Sequence, residues 1–140
     1  CGEHFASGEL QKHRQSCWHL ASCPVCGGEI VMYHGTSECN AASIVQEGRF
    51  RPSAGGMLGQ GVYLSKDPRK ARHYGSAVLQ CIVSVGRVVK INRQGHPLQK
   101  SWSEHGYDTA WVPPNCGMVP SGLEEDCVLD PGRIQILGVL

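Results

Sequence analysis

GQGVYLSKDPRKARHYG, Gly59 to Gly75, runs from a glycine-rich loop through a strand into a helix start. Val62 to Ser65 follows the glycines at once and reads as a strand. Asp67 before Pro68 is a helix-start pair, because proline tolerates the first helical position, and the short helix it opens is expected to end near Tyr74. The loop ahead of the strand, Pro52 to Gly61, is not a phosphate cradle of the Walker type, since no Gly-Lys-Ser/Thr follows. Nor is it a dinucleotide fingerprint, which must open a helix where this loop opens a strand. It is expected to be flexible, either a lid over a ligand or a plain connection.

Outward from that stretch, short apolar runs alternate with turns. EIVMY, Glu29 to Tyr33, reads as a buried strand ending at His34. Ser37 is placed to cap a helix over 38–47 that carries Ala42, Ile44 and Val45, with Gly48 as its stop. AVLQCIVSV and RVVKI read as two strands joined at Gly86, PLQKSWSEHG as a short helix, and DCVLDPGRIQILGVL as two strands around an Asp-Pro-Gly turn. Strands dominate without regular βαβ alternation or an internal repeat. The expected class is therefore α+β, built on mostly antiparallel sheet.

The chain has 140 residues, 41% of them hydrophobic, which predicts one main domain. Thirteen basic residues against twelve acidic ones leave a formal charge of +1 with no polybasic run, so charge gives no reason to expect a membrane or nucleic-acid partner. No apolar segment approaches the ~20 residues of a membrane span, and no leader is apparent. An intracellular protein, cytoplasmic or nuclear, is expected.

Cysteine usage divides the chain. Cys1, Cys17, Cys23 and Cys26 crowd the first residues together with His4, His13 and His19, and this mixture is zinc chemistry rather than a disulfide framework. His13 and Cys17 sit four apart on a polar helical stretch, and Cys23-x-x-Cys26 forms a knuckle followed by two glycines. The pattern resembles Cys-Cys-His-Cys zinc fingers whose first cysteine lies upstream, so the chain is expected to begin inside the motif and to belong to a larger protein. One ligand set uses His13, Cys17, Cys23 and Cys26; another keeps Cys1 and one knuckle cysteine; a third, Cys1-x-x-His4 with the knuckle, looks like the second metal site of a RING domain. Each would hold a structural zinc, since four protein ligands leave no open position. The expected division is a zinc-finger-like segment at 1–28 and the main α+β domain at 29–140. Cys39, Cys81, Cys116 and Cys127 read as small buried hydrophobes.

Three motifs in order, His34-Gly35-Thr36, GQGVYLSKDPRKARHYG and GLEEDCVLDP, resemble the His-Tyr-Glu signature of the diphtheria-toxin-like ADP-ribosyltransferases, the PARP group. PSAGGMLGQGVYLS and GYDTAWVPPNCGMVPSGLEEDCVLDP are similar to the compact vertebrate proteins called grass carp reovirus-induced and to a domain of Neuralized-like proteins. The resemblance implies a compact PARP-like fold and NAD+ as substrate. It further implies that His34 bonds a ribose hydroxyl, Gly35 pairs through its backbone with the nicotinamide carboxamide, and Thr36 touches the adenosine ribose. Tyr63 and Tyr74 would sandwich the nicotinamide ring. Glu125 would stabilise an oxocarbenium-like transition state, with Glu124 as the reserve should the strand register differ by one. Ala71 stands where the family usually has a serine that bonds the carboxamide. The expected activity is mono-ADP-ribosylation of a protein acceptor or a nucleic-acid end; the competing readings are a binding module without turnover and an NAD+ glycohydrolase.

Overall fold

Ser37 is the point where the first strand gives way to the first helix. The computed structural model describes residues 28–140. Strand β1 spans Glu29–Thr36 and helix α1 spans Glu38–Glu47, with the Ser37 hydroxyl accepting from the Asn40 N–H at 3.1 Å. That bond satisfies one of the four donors a helix start leaves without partners. The helix stops at Gly48, whose φ of 75° turns its N–H back to the Ile44 carbonyl at 2.9 Å. The bounds agree with expectation, but the buried face is Ala41 and Ile44, while Val45 is exposed. One residue further round the helix points about 100° away. Ser37→Ala is expected to cost about 1 kcal/mol, read as a lower urea midpoint at unchanged slope.

The remaining strands are β2 (Val62–Leu64), β3 (Ala77–Ser84), β4 (Val88–Lys90), β5 (Thr109–Val112), β6 (Glu125–Val128) and β7 (Ile134–Val139), and helix α2 is the short Pro68–Ala71. They form two sheets, ordered β1-β3-β7 and β2-β6-β5-β4. EIVMY is buried on one face only, because side chains alternate across the sheet and its outer face is partly open: Met32 is fully covered, and Val31 is 42% exposed. β3 and β4 flank Gly86 and β6 and β7 flank the Asp-Pro-Gly turn, yet each pair divides between the two sheets instead of forming a hairpin. At Gly86, φ is 62° and a Cβ would run into the Asp108 carboxylate, which accepts the Arg87 N–H at 2.8 Å. The chain therefore turns a corner there and crosses to the other sheet.

β5 is the strand missing from the sequence reading, hidden in the four residues TAWV before two prolines. It pairs parallel with β4, Val88 opposite Thr109, while the other ladders are antiparallel. A parallel pair needs a long crossover, and residues 91–108, which include a 3₁₀ turn at Trp102–His105, supply it.

Between the sheets, Met32, Leu79 and Val83 pack against Val62, Leu64 and Val128. A second apolar cluster, with Leu58, Trp102, Val112 and Cys127, covers the opposite face of the second sheet. Strand β6 is thus buried on both faces although it begins Glu125-Asp126. Buried acids need partners. The two sheets also meet through one isolated bridge, where Tyr33 and Ser65 exchange backbone hydrogen bonds of 2.7 and 2.9 Å. Among the described residues no helix is long and apolar enough to cross a membrane.

Candidate active site

The Tyr33–Ser65 bridge brings the end of β1 beside the end of β2, and β6 runs next to β2. His34 from β1, Tyr63 from β2, Glu125 from β6 and Tyr74 from the 3₁₀ turn after α2 consequently line one cavity of about 420 Å³. Gly56 and Met57 of the glycine-rich loop complete part of its wall.

His34 Nδ1 lies 2.7 Å from the Tyr63 carbonyl. A carbonyl only accepts, so Nδ1 carries the proton and Nε2 of the neutral ring is left as an acceptor. The ring packs edge-on against Phe50, centroids 4.8 Å apart. Burial lowers the His34 pKa below its ordinary 6.5, with the Tyr63 carbonyl pulling the other way. The neutral ring is favoured in the folded state, so protonation at low pH works against both folding and the Nε2 acceptor. A ligand hydroxyl that donates to Nε2 is expected to be held steadily down to about pH 6.5 and more weakly below it, checked by titration calorimetry of the candidate ligand across that range.

Glu125 is held from one side. The Tyr74 hydroxyl donates to Glu125 Oε1, the Lys70 ammonium donates to the Tyr74 oxygen at 2.8 Å, and Lys70 Nζ stands 3.7 Å from the same carboxylate oxygen. Lys70 Nζ also sits 4.3 Å from the centre of the Tyr74 ring. Burial first, and the Glu125 carboxylate second, raise the Tyr74 pKa, so the phenol stays protonated and remains a donor. Lys70 is the site residue that sequence reading passes over. Its spacing of four from Tyr74 was the available signal, but Arg-Lys on a short polar helix reads more readily as solvated.

Tyr63 offers its ring to the cavity and spends its hydroxyl on the loop. It accepts from the Leu58 N–H at 2.9 Å and donates to the Gly59 carbonyl at 2.6 Å. The Trp102 indole N–H reaches the Leu58 carbonyl at 2.7 Å, and Leu58 is completely buried. The loop expected to be flexible is therefore anchored at its middle.

Gly35, Thr36 and Ala71 occupy a different position from the four lining side chains. A Cβ on Gly35 would fall inside the Ala71 carbonyl, so close packing of β1 against α2 already requires glycine there. Thr36 lines an adjoining cavity of about 460 Å³ with Asn40 and Ser43, and His34 and Arg51 belong to both cavities. Glu124 does not face this site. Its carboxylate accepts from the Ser65 hydroxyl at 2.6 Å, the Lys66 N–H at 2.8 Å and Lys66 Nζ at 2.8 Å.

The zinc ligands expected at Cys1, His13, Cys17, Cys23 and Cys26, and the alternative ligand His4, lie outside the described residues. Among the described residues no three His, Cys, Asp or Glu side chains are grouped as metal ligands.

A family model described as the poly(ADP-ribose) polymerase (PARP) catalytic domain matches residues 3–111. The chain belongs to the PARP catalytic-domain family. The mixed helix and strand architecture with antiparallel sheets is consistent with that membership, which implies an ADP-ribosyltransferase that uses NAD+. The PARP match takes in His34, Tyr63 and Tyr74, begins within the cysteine-rich segment and ends before Glu125. No curated protein matches the chain.

Proposed function

We propose that residues 29–140 form the catalytic domain of a mono-ADP-ribosyltransferase that moves one ADP-ribose from NAD+ to a protein side chain or a nucleic-acid end. The observation that carries this is the convergence of His34, Tyr63, Tyr74 and Glu125 on one cavity from separate elements of both sheets. In this reading His34 Nε2 accepts from a ribose hydroxyl, the Gly35 backbone holds the carboxamide, and Thr36 meets the adenosine ribose from the adjoining cavity. Tyr63 and Tyr74 flank the nicotinamide ring. Breaking the bond from ribose C1′ to the nicotinamide nitrogen sends the electron pair to nicotinamide and leaves an oxocarbenium-like centre, which the Glu125 carboxylate stabilises. The acceptor nucleophile then bonds to C1′ and gives up its proton to solvent. Ala71 supplies no hydroxyl to the carboxamide, and the loss of one neutral hydrogen bond weakens binding by about 0.5 to 1.5 kcal/mol.

Single-unit transfer is supported by the short passage from Trp111 to Glu125, with little chain to hold an acceptor polymer. The loop and tail motifs support kinship with the grass carp reovirus-induced and Neuralized-like proteins. The cysteine and histidine spacing of residues 1–28 supports a structural zinc there. One observation favours a second reading, a module that binds NAD+ or ADP-ribose without turnover: the Glu125 carboxylate is already engaged by Tyr74 and Lys70. An NAD+ glycohydrolase is the variant in which water replaces the acceptor.

The test is the whole chain with labelled NAD+, following nicotinamide release and label on protein together. Release in step with labelling supports the transferase, and release without labelling of any acceptor makes it a glycohydrolase. Binding without release makes it a reader, and no binding at all would sink the assignment of the cavity.

A further inference from the structure

The reverse face of β6 carries a second built cavity. Asp126 points away from Glu125, as alternation in a strand requires, into the space between the two sheets. There Lys66 Nζ bonds Asp126 Oδ1 at 2.9 Å and Glu124 Oε1 at 2.8 Å. A cavity of about 370 Å³ opens beside this trio, walled by Ile30, Val85, Val88, Pro114 and Trp111. Two of its lining residues hold buried polar atoms with no hydrogen-bond partner: the Trp111 indole Nε1 and Asp126 Oδ2. Trp111 and Asp126 are directly opposite each other in the β5–β6 ladder, so the two groups are neighbours on one face. Leaving a buried donor and a buried carboxyl oxygen unmatched is costly, because neither recovers its bonds to water.

The chemistry of the wall narrows what fits. An anionic ligand would meet Glu124 and Asp126, with Lys66 already bonded to both. A cationic ligand would answer Asp126 alone, leave the indole N–H unmatched and add a second positive charge beside Lys66, whose Nζ lies 5.5 Å from the Trp111 ring. A neutral primary carboxamide answers both. Its carbonyl accepts from the indole N–H, and its NH₂ donates to the Asp126 oxygen. Burial, and the Glu124 carboxylate against the opposing pull of Lys66, raise the Asp126 pKa well above the usual carboxylate range. A carboxamide pairs as well with the neutral carboxyl, accepting its O–H and donating to its carbonyl. The apolar walls call for an apolar body on the amide.

We propose that the inter-sheet cavity on the reverse face of β6 is a second binding site, for a neutral primary carboxamide on an apolar body, held by Trp111 Nε1 and Asp126. Two sources carry that chemistry: an aromatic carboxamide such as nicotinamide, and an asparagine or glutamine side chain of a bound peptide.

The probes are nicotinamide for the first source and propionamide for the second, each titrated into the ¹⁵N-labelled full chain while the Trp111 indole N–H resonance is followed. A saturable shift with either probe supports the site, and the probe that saturates at lower concentration names the source. The shift is expected to persist in Tyr74→Ala, which removes one wall of the ring slot in the first cavity and none of the second, and so to be separable from binding there. Asp126→Leu keeps the branched heavy-atom shape without the polar oxygens and is expected to weaken binding about tenfold, the loss of one hydrogen bond. Should that variant fail to fold, Trp111→Phe with calorimetry asks the same of the indole donor. A Trp111 resonance that stays still to the solubility limit of both probes, or that moves only when Tyr74 is intact, overturns the proposal. The readout is binding, not turnover, so its failure is distinct from failure of the transferase reading.

Discussion

Glu125→Gln is expected to reduce nicotinamide release by about a hundredfold to a thousandfold, the range for removing one preorganised group that faces developing charge. The amide keeps an oxygen for the Tyr74 hydroxyl, so the local hydrogen bond survives while the negative charge is lost. Lys70 then stands buried without its counter-ion, which is expected to cost about 1 to 3 kcal/mol of stability. A loss of that size leaves the chain folded and does not account for the fall in rate. Glu124→Gln makes the decisive comparison. It disturbs the anchor on Ser65 and Lys66 and lowers stability, yet is expected to leave release within a few fold of wild type. Equal losses of release in the two variants would remove Glu125 from the chemistry.

Gly35→Ala is expected to cost about 3 kcal/mol of stability, the upper end for an added methyl with nowhere to go. The obstruction is the Ala71 backbone carbonyl, which cannot rotate aside as a side chain would. Either β1 or α2 must move, and β1 carries His34 while α2 leads to Tyr74. Stability and NAD+ affinity should therefore fall together, read by urea unfolding and calorimetry. Gly55→Ala, with open space around its Cβ, is the control and should change the urea midpoint little.

Local chemistry made several elements legible from residues alone. Ser37 and Gly48 mark α1 to the residue because caps are side-chain and φ requirements that sequence states directly. The strand at Val62–Leu64 and the helix start at Asp67-Pro68 follow for the same reason, with the Asp67 carboxylate capping the Arg69 N–H at 2.9 Å. Pairing partners are another matter. Nothing in AVLQCIVSV or RVVKI says that a strand pair joined at Gly86 will divide between two sheets. That outcome depends on Asp108, twenty-odd residues later, capturing the Arg87 N–H.

The site shows the same division between local and long-range information. Alternation along Glu125-Asp126 predicts opposite faces, and the two side chains do lie on opposite faces, one toward Tyr74 and the other toward Lys66. Lys70 is different. Its burial is decided by Glu125, far along the chain, so no local reading of PRKA could have turned it inward. Gly35 was legible as a place where something must approach closely, but the neighbour described is the main chain of Ala71.

Tyr63, Leu58 and Trp102 together bear on how a nucleotide arrives. A glycine-rich segment free in solution has many conformations, and a ligand that must freeze them captures its target slowly and with an entropic loss. Here the phenol and the indole have already restricted the backbone at Leu58 and Gly59 before any ligand is present. Association should then behave as entry into a formed cleft. The observed rate would rise linearly with ligand concentration, without the plateau that a rate-limiting loop closure imposes.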